Sequence, residues 1–221
     1  MTSSINSVNT KELISVVMFS TGSRESTLTN LKQLFSLKPE NWQLDVQLVL
    51  ESANDATLKL INSLGLAVSI VEAKGKTTDR RVMTKVMRNL GQGSDAVLWL
   101  GANTALKSDA YIQVNNFRKQ YPSAVLIGQF QDDATSQISA GGYSGKSIFG
   151  HRTRIQAQTL PIDVSAFDAS LVLVPASASE LIGQPTTGFK RFSHFGLFVR
   201  AAKRKRIRCL ALPGFLGSFN G

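Results

Sequence analysis

Basic side chains dominate the chemistry open to this chain, and two groups of them stand out. Lys74, Lys76, Arg80 and Arg81 sit at or near the start of a predicted helix, where free backbone amides add to their charge and favour a diphosphate. Arg200, Lys203, Arg204, Lys205, Arg206 and Arg208 form a denser run near the C-terminus. All 15 acidic residues lie at or before Glu180, so the 41 residues that follow hold eight basic ones and no acid. Most of the net charge of +10 therefore belongs to that segment. Such a cluster suits polyanions: nucleic acid, anionic lipid headgroups or diphosphate-bearing substrates. Other chemistries are excluded. Gly145-Lys146-Ser147 ends like a phosphate-binding loop, but the glycine that motif needs at position 140 is Ala140. His151, His194 and Cys209 lack zinc-ligand spacing, and no Gly-x-Ser-x-Gly nucleophile turn occurs.

The elements that must position these residues alternate regularly. Strand patterns run from Ile14 to Phe19, Leu44 to Glu51, Ala67 to Glu72 and Ala96 to Leu100, with helix patterns from Glu25 to Leu37, Ala56 to Leu64 and Asp79 to Leu90 between them. Alternation of this kind predicts an α/β fold with a mostly parallel sheet covered on both faces and right-handed crossovers. In such sheets ligands bind beyond the carboxyl ends of the strands. Those ends are Phe19 to Arg24, Glu51 to Asp55, Glu72 to Lys76 and Gly101 to Thr104. Later come a helix over Asp109 to Tyr121, a strand over Ala124 to Phe130, and a glycine-rich excursion or hairpin over Gln131 to Arg154. Two more strands, Ser165 to Pro175 and Ile207 to Leu212, flank a helix over Phe192 to Ala202.

The 221 residues, 43% apolar, suffice for one substantial core. We expect a flexible leader over 1–11, one domain over 12–215 with a nucleotide-binding half (12–108) and an acceptor half (109–215), and a tail over 216–221. Apolar runs fall well short of the roughly 18 to 20 residues a membrane helix needs. The Ser/Thr/Asn-rich start lacks a secretory pattern, and Cys209 is the only cysteine. Together these features predict a cytoplasmic protein, with the basic run allowing peripheral contact with a membrane.

Three segments carry a resemblance. Val16-Val17-Met18-Phe19-Ser20-Thr21-Gly22-Ser23-Arg24, Leu50-Glu51-Ser52-Ala53-Asn54-Asp55-Ala56-Thr57 and Leu98-Trp99-Leu100-Gly101-Ala102-Asn103-Thr104 resemble the nucleotide-sugar half of family 2 glycosyltransferases of the GT-A fold. Leu181-Ile182-Gly183-Gln184-Pro185 is similar to the family's Ile-Gly-Leu-Pro turn, and the correspondence extends from about Ile14 to Pro213. The resemblance implies a GT-A fold with a mixed, mostly parallel sheet flanked by helices. It also implies a nucleotide-diphosphate sugar as donor, held by Ser20, Thr21, Gly22, Arg24, Glu51, Lys76, Arg80 and Asn103. Glu51 would accept hydrogen bonds from a base edge or ribose hydroxyls, as carboxylates can.

Two departures bear on activity. The family's Asp-x-Asp, which holds Mg2+ or Mn2+ against the diphosphate, is replaced by Gly101 and Asn103. Only Asn103 offers a side-chain oxygen there, a neutral one, so no metal site is assigned. The family's acidic base segment becomes Ser193-His194-Phe195-Gly196-Leu197-Phe198-Val199-Arg200, leaving His194 as the candidate general base. Two functions follow from the resemblance. One is sugar transfer from a nucleotide sugar to an anionic or lipid-linked acceptor. The other is a catalytically inactive homologue that binds a ligand, a partner or a polyanion.

Overall fold

The computed structural model describes residues 11–20, 24–50, 55–73, 86, 93–101, 104–132, 138–144, 153–155, 159–164, 166–167, 171–182, 202 and 204–219. The first half alternates strand and helix as the sequence pattern predicts: β1 (Glu12–Ser20), α1 (Arg24–Leu37), β2 (Trp42–Leu50), α2 (Asp55–Ser63), β3 (Val68–Glu72) and β4 (Ala96–Gly101). Next come β5 (Thr104–Leu106), α3 (Ala110–Gln120), β6 (Val125–Ile127), β7 (Phe130–Asp132), β8 (Ile138–Ala140), β9 (Gly142–Ser144) and β10 (Thr153–Arg154). The last described elements are β11 (Ile162–Asp163), β12 (Ala166–Phe167), β13 (Leu171–Pro175), α4 (Ala176–Ile182), β14 (Cys209–Ala211) and β15 (Gly217–Phe219).

Eight strands form the main sheet in the order β11-β14-β6-β13-β4-β1-β2-β3. The run β3-β2-β1-β4 is parallel, β14 and β6 pair in parallel, and β13 lies antiparallel between β4 and β6. Side chains alternate across the pleat, so each strand feeds two cores. Ile14, Val16 and Met18 join Leu98, Leu100, Leu126, Leu171 and Leu173 on one face, with Leu31 and Leu34 of α1 and Tyr111 and Val114 of α3. Val17, Val49, Val71, Val97, Val172 and Val174 form the other face, with Ala178 of α4. Sequences such as Leu171-Val172-Leu173-Val174 are apolar throughout because both faces are covered.

At the start of β2, the Trp42 indole donates to Asn115 Oδ1 at 3.0 Å, and the Asn115 amide donates to Asn41 Oδ1 at 3.2 Å. This buried polar link fixes α3 against the sheet. Tyr111 packs edge-on to Trp42, and burial pushes its hydroxyl far above the usual phenol range, so it stays protonated.

Several expectations are corrected. The single strand expected over Ala124 to Phe130 is two, because β6 stays in the main sheet whereas β7 joins a four-stranded sheet, β5-β15-β7-β8. The chain crosses between them at Gly128, where a Cβ would meet Leu216 Cδ1 at 3.0 Å and Leu171 Cβ at 3.2 Å. The strand expected over Ser165 to Pro175 divides likewise, with β12 in a three-stranded sheet, β10-β9-β12, and β13 in the main one. The short helix α4 was not anticipated, and Leu181 and Ile182 close it, whereas Gly183 to Pro185 lie outside the described residues. Val86 and Ala202, from the helices expected over Asp79 to Leu90 and Phe192 to Ala202, are helical and buried; the described residues include nothing else of the first and no more of the second. Gly217 to Phe219, within the segment read as a tail, form β15 between β5 and β7.

Gly217 makes that pairing sterically specific, since a Cβ there would stand 2.1 Å from the Ala105 carbonyl oxygen. Gly217→Ala should lower the unfolding free energy by about 3 kcal/mol. In urea denaturation we expect an earlier midpoint with the slope unchanged.

Candidate functional site

Parallel pairing fixes where the strand ends fall. Phe19 stands opposite Val49 of β2 and Gly101 of β4, while Leu50 stands opposite Glu72 of β3. The four strands end level, so the loops that follow them start from one rim. In the order β3-β2-β1-β4 the direction of winding reverses between β1 and β4. Ile61 of α2 packs with the leucine-rich core and Val86, which follows β3, with the valine-rich one, so the chain changes face at this reversal. The crevice at such a reversal, beyond the carboxyl ends, is the ligand site of open α/β sheets.

Of the residues picked out for this rim, Ser20 and Arg24 lie within the described segments. Ser20 ends β1, and its hydroxyl is 2.6 Å from Thr27 Oγ1, tying the strand end to the start of α1. Arg24 opens that helix. Thr21, Gly22, Glu51, Lys76, Arg80, Asn103 and His194 lie outside the described residues, as do Arg200 and Lys203. Their immediate neighbours are placed: Leu50 precedes Glu51 at the end of β2, and Gly101 precedes Ala102-Asn103 at the end of β4.

Under the rim, Phe19 stacks on Trp99 with ring centroids 6.0 Å apart and planes 11° from parallel. Gly101, paired with Phe19 on the same face, contributes no side chain beside the ring. Sequence reasoning did not single out this aromatic pair; Trp99 at the end of an apolar run was its signal. It also passed over Gln47, which lies opposite Val17 and Ser69, 2% exposed, with neither amide atom partnered. A buried amide left unpaired costs about 1–3 kcal/mol. The polar break in Val46-Gln47-Leu48 marks it in the sequence.

At the two positions that align with the family's carboxylate pair, this sequence has no acid. Hard cations take several oxygen ligands, largely anionic, whereas Gly101 offers no side chain and Asn103 only a neutral carbonyl. Among the described residues no three His, Cys, Asp or Glu side chains come together.

The opposite edge holds the C-terminal cations. Leu210 is level with Leu126, Leu126 with Leu173, and Leu173 with Leu98, so β14 runs in the same direction as β4 and starts near the level of Ala96. Arg208, exposed and just before β14, thus lies about 17 Å along the strand direction from the rim at Gly101, and exposed Arg204, Lys205 and Arg206 form the turn that leads into it. Arg208 forms a two-pronged ion pair with Asp163 at 2.9 and 3.1 Å, which raises its already high pKa, and its guanidinium lies 6.0 Å from the Tyr121 ring centre. This edge also has a cavity of about 460 Å3 lined by Glu12, Ser94, Asp95, Arg118 and Lys119. Its acids are engaged: Glu12 with Arg118 and the Asn41 amide, Asp95 with the Leu13 backbone amide at 2.8 Å.

No protein-family model and no curated protein matches the sequence. Solved structures do match by fold. GalNAc-T7 with UDP, GalNAc and Mn2+ superposes with a TM-score of 0.67 at 10% identity, over 96% of this chain and 44% of that one. TarS 1–349 of S. aureus gives 0.63 at 13% identity, over 94% and 60%. The mannosyltransferase PcManGT from Pyrobaculum calidifontis, in complex with GDP-Man and Mn2+, gives 0.61 at 10% identity, over 94% and 56%. This chain therefore spans about half the length of these proteins. It has a GT-A glycosyltransferase-like fold, in agreement with the resemblance of its sequence motifs. Among the described residues no helix is long and apolar enough to cross a membrane.

The Ser20–Thr27 contact predicts a structural role for that hydroxyl in addition to any ligand role. Ser20→Ala should lower stability by about 1 kcal/mol in the ligand-free protein, measured by chemical denaturation.

Proposed function

We propose that the rim beyond β1, β2 and β4 binds a nucleoside-diphosphate sugar and that the chain transfers its sugar to an acceptor hydroxyl. The level strand ends at the reversal between β1 and β4 carry this reading. Two of the proteins sharing the fold are held with UDP or GDP-Man, which supports a nucleotide-sugar donor here. In this reading Ser20, Thr21, Gly22 and Arg24 form the loop around the nucleotide, Glu51 accepts hydrogen bonds from base or ribose, and Asn103 lies beside the donor. Lys76 and Arg80 face the diphosphate. His194 takes the proton of the acceptor hydroxyl as its oxygen bonds to the anomeric carbon and the bond to the diphosphate breaks. The leaving diphosphate's charge is then met by basic side chains, and no step is routed through a metal. An anionic or lipid-linked acceptor fits the basic composition of the acceptor half.

A second reading is a binding protein without transferase activity. The loss of carboxylates at Gly101 and Asn103, and around His194, specifically favours it.

Thermal unfolding with UDP, GDP, UDP-sugars and GDP-mannose, each with and without Mn2+, separates the readings. Ligand at about 100 times its dissociation constant should stabilise the protein by roughly 2.7 kcal/mol. We expect that shift without added metal, and the Asn103→Asp variant should gain a Mn2+-dependent increment. A protein unmoved by every nucleotide would sink the donor site, and stabilisation without sugar turnover would establish the second reading.

A further inference from the structure

Arg206 sits at φ +58°, a left-handed backbone conformation. It is the one residue with a side chain found there among the described residues; the others with positive φ are Gly65, Gly93, Gly141 and Gly214. The turn around it explains why the chain must adopt that conformation. The Ile207 amide donates to the Ala202 carbonyl at 2.9 Å, and the Lys205 amide reaches the same carbonyl at 3.2 Å. Such a six-residue closure ends a helix through one left-handed residue, ordinarily glycine, because a Cβ crowds the following carbonyl. Here the place is taken by a long cation.

Nothing within the described protein offsets that choice. Arg206 is exposed, and no described carboxylate pairs with it or with its neighbours Arg204 and Lys205. Asp163 is already committed to Arg208, and Glu12 to Arg118. Exposed Lys119, at the end of α3, faces the same edge, two residues before the Tyr121 ring that approaches Arg208. A strained backbone carrying an unpaired side chain points to a contact outside the molecule.

We infer that the turn Arg204–Lys205–Arg206, with Lys119 at the same end of the sheet, is a docking surface for the anionic face of a lipid bilayer. The geometry favours a bilayer over nucleic acid. Single strands are held by exposed aromatic platforms and duplexes by elements long enough to enter a groove. Among the described residues at this edge, the aromatic ring beside the cations is Tyr121, half-buried next to Arg208, and the cations stand on a short turn. Adjacent exposed cations on a turn need only a flat field of negative charge, within a Debye length. The inference is independent of the nucleotide-sugar site, which lies on the other edge.

Sedimentation of the full chain with vesicles of phosphatidylcholine, with and without phosphatidylglycerol, tests it. The chain should bind only the anionic vesicles and should release as salt is raised. Arg206→Gly should weaken binding about fivefold while holding or raising the thermal midpoint, and Arg206→Lys should retain the affinity. The triple variant Arg204→Gln, Lys205→Gln, Arg206→Gly should lose about a hundredfold. Equal affinity of wild type and variants for anionic vesicles, or equal binding to neutral ones, would overturn the proposal. So would a lowered midpoint for Arg206→Gly, since the side chain would then be packed within the fold. Binding to single-stranded RNA or duplex DNA without vesicle binding would reassign the surface to nucleic acid.

Discussion

A row of aliphatic side chains lying level across seven strands holds the register of the main sheet. Leu210, Leu126, Leu173, Leu98, Val16, Val46 and Val68 are paired neighbour to neighbour and belong to, or pack against, one core. Burying each contributes about 2 kcal/mol, but its larger effect is on register. A slip of one residue in any strand would exchange its two faces and turn its row residue toward the other core. The level endings of β1 to β4 follow from this row, as does the placement of Arg208 on the opposite edge.

Periodicity made that much legible in the sequence. The strands β1 to β4 are five to nine residues of apolar or alternating pattern, separated by helix-length segments, and their order implies a parallel sheet. The second half was harder because its strands are short and change sheet. Ala124 to Phe130 reads as one strand, yet Gly128 is a crossing between two sheets, and the contact that requires glycine there comes from Leu216 and Leu171, distant in sequence. β5 and β15 are three residues each and exist through mutual pairing, which no local pattern encodes. α4 follows Pro175 directly; its Ala-Ser-Ala-Ser start has a weak helical pattern, and Ala178 anchors it through the valine-rich core.

The candidate site was legible by position more than by residue type. Carboxyl ends of strands were identifiable before any contact was known, because they follow from element order. Ser20 could be found there, but its 2.6 Å contact with Thr27 depends on how α1 returns against the strand. The stacking of Phe19 on Trp99 arises from cross-strand register, with the two rings 80 residues apart in the sequence. Gln47 shows the limit most clearly. A polar residue in an apolar strand is visible at once, whereas its complete burial is a property of the assembled sheet.

The two edges of the sheet also constrain one another. A chain resting on a bilayer through Arg204 to Arg206 would hold its opposite rim at least a strand's length, about 17 Å, above the headgroups. A hydroxyl buried among headgroups could not then reach the loops beyond Gly101 and Ser20. An acceptor displayed on an extended chain, or one free in solution, could. The same separation would keep Arg208 from compensating a diphosphate at the proposed donor site, because beyond a Debye length of about 8 Å exposed charges are largely screened. In the proposed donor site, charge compensation would therefore have to come from residues of the rim loops, and Lys76 and Arg80 follow β3 in the sequence.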